Sequence, residues 1–188
     1  MLRQEAEAFF GAVRFFTRLP VPAWVGHSQE ALDRAARYFP LVGILVGVLG
    51  GLTFLLAAFV LPVSLALLFS MAATLLVTGA FHEDGLADVA DGLGGSYDRE
   101  RALDIMKDSR IGAFGAMALV LALLAKLCLL ALLGAHSLQA ALAALVGGHV
   151  LGAGRGGWLH AVPLRERAGK QRGLSGERKA GGLLEELL

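Results

Sequence analysis

Long uncharged runs alternate with short charged segments along this chain, and the runs set the first expectation. Phe39 to Val60 (FPLVGILVGVLGGLTFLLAAFV) carries no charge, and as a helix rising 1.5 Å per residue it spans about 33 Å, enough to cross a hydrocarbon core. Leu61-Pro62 breaks that run, because proline disfavours helix at the residue before it. Val63 to Phe81 supplies a second uncharged run, so the two read as a hairpin with a tight turn. Ile111 to Leu133, interrupted only by Lys126, and residues 138 to 152, containing His149, are the third and fourth runs. The expectation is an all-α, multi-pass transmembrane helical bundle with about four spans, 39–60, 63–81, 111–133 and 138–152. Ahead of them, Phe9, Phe10, Val13, Phe16 and Leu19 recur at helical spacing, which predicts a helix covering the side of the bundle or lying at the membrane interface. Arg3, Glu5, Glu7, Arg14 and Arg18 leave that segment no apolar core of signal-peptide length. Gly43, Gly47 and Gly51 form a small-xxx-small ladder that lets a second helix approach closely. Packing within the chain is the expected use, and a homo-oligomer is the alternative.

Composition agrees with this reading and narrows it. The chain of 188 residues is 56% hydrophobic and 18% charged, with a mean hydropathy of +0.64, which argues against a water-soluble domain. Its single cysteine, Cys128, excludes a disulfide framework and a Cys-rich zinc site. The net charge of +1 says little, but the placement of the charges says much. Five Lys/Arg precede the first run, four lie between the second and third, seven follow the fourth, and the connections at 61–62 and 134–137 have none. The positive-inside rule therefore puts both termini and the 82–110 loop on the cytoplasmic side of a plasma (inner) membrane. Membrane lipid is an expected partner and nucleic acid is not.

Candidate chemistry gathers where the second run ends, in Phe81-His82-Glu83-Asp84-Gly85-Leu86-Ala87-Asp88-Val89-Ala90-Asp91-Gly92. On a helix, Asp84, Asp88 and Asp91 share one face at i, i+4 and i+7, with Glu83 beside them. No basic residue lies between these carboxylates, so their repulsion calls for a cation, and hard oxygen donors suit Mg²⁺ or Mn²⁺. After a glycine-rich turn at 92–96, residues 97–109 read as a short amphipathic helix. Lys107 and Arg110 are then candidates for phosphate oxygens and Asp108 for a further metal ligand. Gly112 and Gly115 would let backbone come near a bulky ligand. Carboxylates and cations around one mouth suit phosphoryl transfer. Lys126 is expected to snorkel to the far face, and His149 to be a packed or cavity residue.

Four segments in order carry a resemblance: Phe15-Phe16-Thr17-Arg18-Leu19-Pro20-Val21-Pro22, Arg37-Tyr38-Phe39-Pro40-Leu41-Val42-Gly43, Gly79-Ala80 with the acidic segment through Gly92, and Ile105-Met106-Lys107-Asp108-Ser109-Arg110-Ile111-Gly112. Over about residues 8 to 150 the chain resembles the cobalamin synthase, or adenosylcobinamide-GDP ribazoletransferase, family. The resemblance implies a Mg²⁺-dependent membrane enzyme of late vitamin B12 assembly. In it the ribose 3′-hydroxyl of α-ribazole, or of α-ribazole 5′-phosphate, attacks the corrinoid-side phosphorus of adenosylcobinamide-GDP. The products would be adenosylcobalamin, or its phosphate, and GMP. It implies metal ligands among Glu83, Asp84, Asp88, Asp91 and Asp108, a catalytic set of Asp84, Asp88, Asp91 and His82, and phosphate contacts from Lys107 and Arg110. Alternatives are a membrane phosphotransferase for other nucleotide-activated alcohols and a small transport or assembly subunit. The spans hold too few polar residues for a transporter.

The likeness stops near residue 152. There the chain becomes a basic, Gly/Arg-rich tail over 153–188, in place of the further spans and Thr-Gly-Asp element that family members carry. Such text is what a shifted reading frame or an early stop would leave. The expectation is an intact front half of the site, an altered back half, metal binding and poor turnover.

Overall fold

The computed structural model describes residues 2–26 and 28–155, and among these every regular element is helical. Helix α1 (Leu2–Phe16) buries Ala8, Ala12, Val13 and Phe16, the face that its apolar spacing predicts. That face packs against the start of the first long helix in a cluster with Ala35, Phe39, Val42 and Val46. Covering the bundle's side is therefore the role α1 takes. Ser28 opens α2 (Gln29–Ala35) by accepting a hydrogen bond from the Ala31 amide. A 3₁₀ turn at Ala36–Tyr38 joins it to α3 (Phe39–Ala58), so the helical stretch begins well before the predicted span.

Helix α3 is the axis of the bundle. Helix α4 (Val63–Thr78) returns along it after the Pro62 break, as the hairpin expectation requires. The Ser70 hydroxyl donates to the Gly50 carbonyl at 2.7 Å, and a Cβ on Gly50 would run into the Thr74 methyl. The ladder of Gly43, Gly47 and Gly51 faces a different neighbour, the helix over 138–155 that we call α8. A Cβ on Gly43 would sit 2.5 Å from the His149 carbonyl oxygen, and one on Gly47 2.8 Å from the Val146 Cα. The small residues are thus used within the chain. A second apolar cluster of Phe54, Leu67, Leu130 and Leu145 ties α3, α4, α8 and the preceding helix, α7 (Ala113–His136), at the other end.

Two expectations change. Helix α4 stops at Thr78, and α5 (Phe81–Gly95) leaves at 86° to it. The hinge is Gly79 and Ala80, both left-handed with φ of 65° and 59°. Glycine adopts that conformation freely, whereas alanine does so at a cost of about 1–2 kcal/mol. Arg18 holds the hinge from outside. Its backbone amide donates to the Val77 carbonyl at 2.8 Å and its stem lies where a Gly79 Cβ would go. The connecting region 82–110 is built of two helices, α5, which carries the acidic face, and α6 (Arg99–Met106), the short helix expected over 97–109, with Asp98 capping it.

The span count also falls. Among the described residues two helices are long and apolar enough to cross a membrane, Glu30–Ala58 and Ala113–His136, or three if the bent α4–α5 pair counts as one. Helix α8 forms as expected, but Gln139, His149 and Arg155 dilute its apolar character. Of the tail expected over 153–188, residues 153–155 finish α8 and the rest lies outside the described residues.

Candidate functional site

Because the hinge turns α5 across the end of the bundle, its acidic face meets the segment between α6 and α7. The result is a cleft of about 420 Å³ lined by Glu83, Asp84 and Asp88 on one side and by Lys107, Asp108 and Arg110 on the other, with Gly79 and Ala80 at one end. All seven carboxylate and cation candidates named from sequence, Asp91 included, thus reach one cavity through a fold that the sequence pattern did not show. Asp84 is exposed and Asp88 half-buried.

Asp91 also lines the cleft but is buried and already occupied. Its carboxylate accepts the Gly112 amide at 2.7 Å and the Gly115 amide at 2.8 Å. Both donors belong to the opening turn of α7, where backbone N–H groups lack helical partners and the helix dipole favours an anion. A Cβ on Gly112 would overlap an Asp91 oxygen, and one on Gly115 would do the same. The close approach that these glycines predicted is therefore made by a side chain of the protein itself. Gly92, Gly94 and Gly95 follow the same logic. They were expected to turn the chain, yet α5 runs through Gly95, because Gly92 admits Met106 and Gly94 admits the Phe114 ring.

On the opposite wall, Asp108 and Arg110 form a bidentate pair, with Nη2 to Oδ2 at 2.6 Å and Nε to Oδ1 at 3.0 Å. The Arg110 guanidinium, then the Arg110 backbone amide, hold the Asp108 carboxyl down at about 2. Among the described residues Lys107 pairs only with the exposed Asp104, at 3.8 Å, so its ammonium stays available to an incoming anion. His82 does not line the cleft. Its ring stacks on Phe16, centroids 5.6 Å apart and planes within 4°, and borders a second cavity. Among the described residues no three His, Cys, Asp or Glu side chains stand close enough to share a metal ion. The proposed ligands share a cleft, not a ready-made coordination sphere.

The second cavity was not anticipated. It measures about 660 Å³ and lies between α4, α7 and α8, with Glu83 common to it and the cleft. Lys126 and His149 both line it, so His149 is the cavity residue expected, whereas Lys126 turns inward rather than to the far face. Their separation of 23 positions in sequence hid this meeting; the only signal was that each is a polar residue inside an apolar run.

The model of the family described as cobalamin-5-phosphate synthase matches residues 8–180. The chain belongs to that family. Among curated relatives, an adenosylcobinamide-GDP ribazoletransferase of Shewanella amazonensis is 53% identical over 149 residues, 79% of this chain and 57% of the relative. Proteins of the same name from Ralstonia nicotianae and Leptothrix cholodnii are 55% and 60% identical, over 81% and 63% of this chain and 60% and 45% of their own lengths. The chain therefore spans less than two thirds of the length of these relatives. No solved structure matches it. The hinge, the acidic face of α5 and the Lys107 to Gly112 segment all fall inside the residues matched to the family.

Proposed function

We propose that this chain carries the metal- and phosphate-handling part of an adenosylcobinamide-GDP ribazoletransferase. The observation that supports it is the cleft itself, which Asp84 and Asp88, without an ion pair among the described residues, line together with Lys107, whose ammonium has a long 3.8 Å pairing with the exposed Asp104. Asp84 and Asp88, one turn apart, are the residues that would hold Mg²⁺, with Glu83 and Asp108 beside them. Mg²⁺ commonly takes one or two carboxylates and completes its shell with water and substrate phosphates, so a site without three gathered side chains fits it. When bound, the metal would offset phosphate charge and polarise the bond to be broken.

The protein's own groups do the rest. Lys107 attracts the diphosphate of adenosylcobinamide-GDP, and Arg110 offers a second cation on exchanging part of its pairing with Asp108. The ribose 3′-hydroxyl oxygen of α-ribazole, or its 5′-phosphate, bonds to the corrinoid-side phosphorus as the bridging P–O bond breaks and GMP departs. His82, which lines the neighbouring cavity beside the shared Glu83, is the candidate to take the hydroxyl proton. Asp91 acts indirectly, by fixing the α6–α7 segment that bears Lys107 and Arg110. The Lys and Arg of the 82–110 segment, against none in the connections at 61–62 and 134–137, support a cytoplasmic position for the cleft.

The assay is production of cobalamin and GMP by membranes holding the chain, supplied with adenosylcobinamide-GDP, α-ribazole and Mg²⁺. Asp84→Asn and Asp88→Asn should each lower product by about 100-fold from whatever rate the chain sustains. Product indifferent to both substitutions would contradict the assignment.

A further inference from the structure

The 660 Å³ cavity between α4, α7 and α8 has the size, about 300 to 1,000 Å³, and the mainly apolar lining of a small-molecule site. Leu129, Leu130, Leu133 and Leu145 supply its walls. Most of its polar groups are already satisfied within their own helices. Thr74 donates to the Met71 carbonyl and Thr78 to the Thr74 carbonyl, each at 2.9 Å. His149 donates from Nδ1 to the Leu145 carbonyl at 2.7 Å, which leaves Nε2 an acceptor. Lys126 is the exception: among the described residues its ammonium has no carboxylate within 4.0 Å and no hydrogen bond. A cation so placed at membrane depth is expensive unless something accepts its protons. A fitting occupant is therefore flat or compact, apolar, and equipped with one hydrogen-bond acceptor.

His82 and Glu83, from the start of α5, also line this cavity, and Glu83 is shared with the phosphate cleft. A molecule with its apolar end in the cavity thus presents its other end to Asp84 and Asp88. A nucleoside with an apolar aromatic base has this form, and the benzimidazole of α-ribazole keeps one unsubstituted ring nitrogen as its acceptor. We propose that this cavity seats the aromatic base of the attacking nucleoside, with Lys126 donating to the free ring nitrogen and the ribose held beside His82 and Glu83. The proposal rests on the transferase reading above for the identity of the nucleoside, but the site can be tested without transfer.

The test is equilibrium dialysis of 5,6-dimethylbenzimidazole against the chain in lipid nanodiscs, with chelator present and no corrinoid. The comparison ligand is 5,6-dimethylindole, which has the same shape and no ring acceptor. The benzimidazole should bind about tenfold more tightly than the indole. Lys126→Met should abolish that preference while leaving indole binding in place. Gly148 lines the cavity and a Cβ there meets nothing within 4 Å, so Gly148→Phe should fill the space without disturbing the helix and block both ligands. Circular dichroism matching the parent verifies that each variant is folded. Equal binding of the two ligands to the parent, or binding that survives Gly148→Phe, would overturn the proposal. So would native mass spectrometry showing a phospholipid that the benzimidazole fails to displace. Base binding as described with no metal-dependent transfer would count against the transferase reading and leave the site standing.

Discussion

Asp84 and Asp91 lie on one face of one helix, yet the fold gives them different work. Asp84 faces the open cleft, whereas Asp91 spends both oxygens on amides that begin α7. Replacing Asp91 by Ala should therefore cost about 1–3 kcal/mol of stability, because two amide donors lose a buried partner. Asp91→Asn, with a single acceptor oxygen, should fall between. Asp84→Asn should leave stability within about 0.5 kcal/mol, as exposed substitutions usually do. Chemical denaturation of the three variants in a mild detergent measures this order, and equal loss at both positions would contradict it. Spacing alone could not separate these aspartates. The i, i+4, i+7 pattern tells which side chains share a face, but what that face meets depends on an element 21 residues further on. The glycines that receive Asp91 were noticeable in sequence as sites of close approach; the partner was not.

At the scale of elements, the decisive feature is the break at Gly79-Ala80. A continuous uncharged run from Val63 to Phe81 reads as one straight span, since hydropathy has no means of registering a φ of 59° at an alanine. The bend is what swings the acidic face over the α6–α7 segment. Ala80→Gly should remove the left-handed penalty and stabilise the fold by about 1 kcal/mol. Gly79→Ala should destabilise it by more, because the added methyl meets Arg18 as well as an unfavourable φ. Thermal unfolding of both variants checks the opposite signs. The first helix has its own polar latch, in which Glu5 accepts from the Tyr38 hydroxyl at 2.5 Å and from Arg37 at 2.6 Å. The Tyr38 hydroxyl first, and Arg37 after it, hold the Glu5 carboxyl below the usual carboxylate range. Its contribution is present above the ordinary Glu value of 4.5 and is lost as pH falls through the depressed folded value. Amide exchange in α1 should therefore quicken, relative to α3, as pH falls below the ordinary carboxylate range, and in Glu5→Gln that pH dependence should vanish.

For the molecule as a whole, hydrophobic patterning gave the helices, the α3–α4 hairpin and the glycine ladder, because each rests on local periodicity or on a residue that is small. About four runs were expected to span; by length and composition two helices among the described residues qualify, or three if the pair bent by 86° counts as one. The patterning also missed the inner cavity, whose polar lining comes from two helices far apart in sequence. The charge distribution makes its own claim at this scale, that the cleft is cytoplasmic. Ser96→Cys, in a Cys128→Ser background, should react with a membrane-impermeant thiol reagent in inverted vesicles and stay unlabelled in intact cells. Labelling from the outside would reverse the topology.

Asp84 and Asp88 are the residues proposed to recruit a divalent cation to this cleft, and Mn²⁺ titration of the purified chain followed by electron paramagnetic resonance measures that without requiring turnover. One saturable site is predicted, weakened about tenfold or more by Asp84→Asn and by Asp88→Asn, and left largely intact by His82→Gln. Mn²⁺ binding unchanged in both aspartate variants, or no saturable binding by the parent chain, would contradict it.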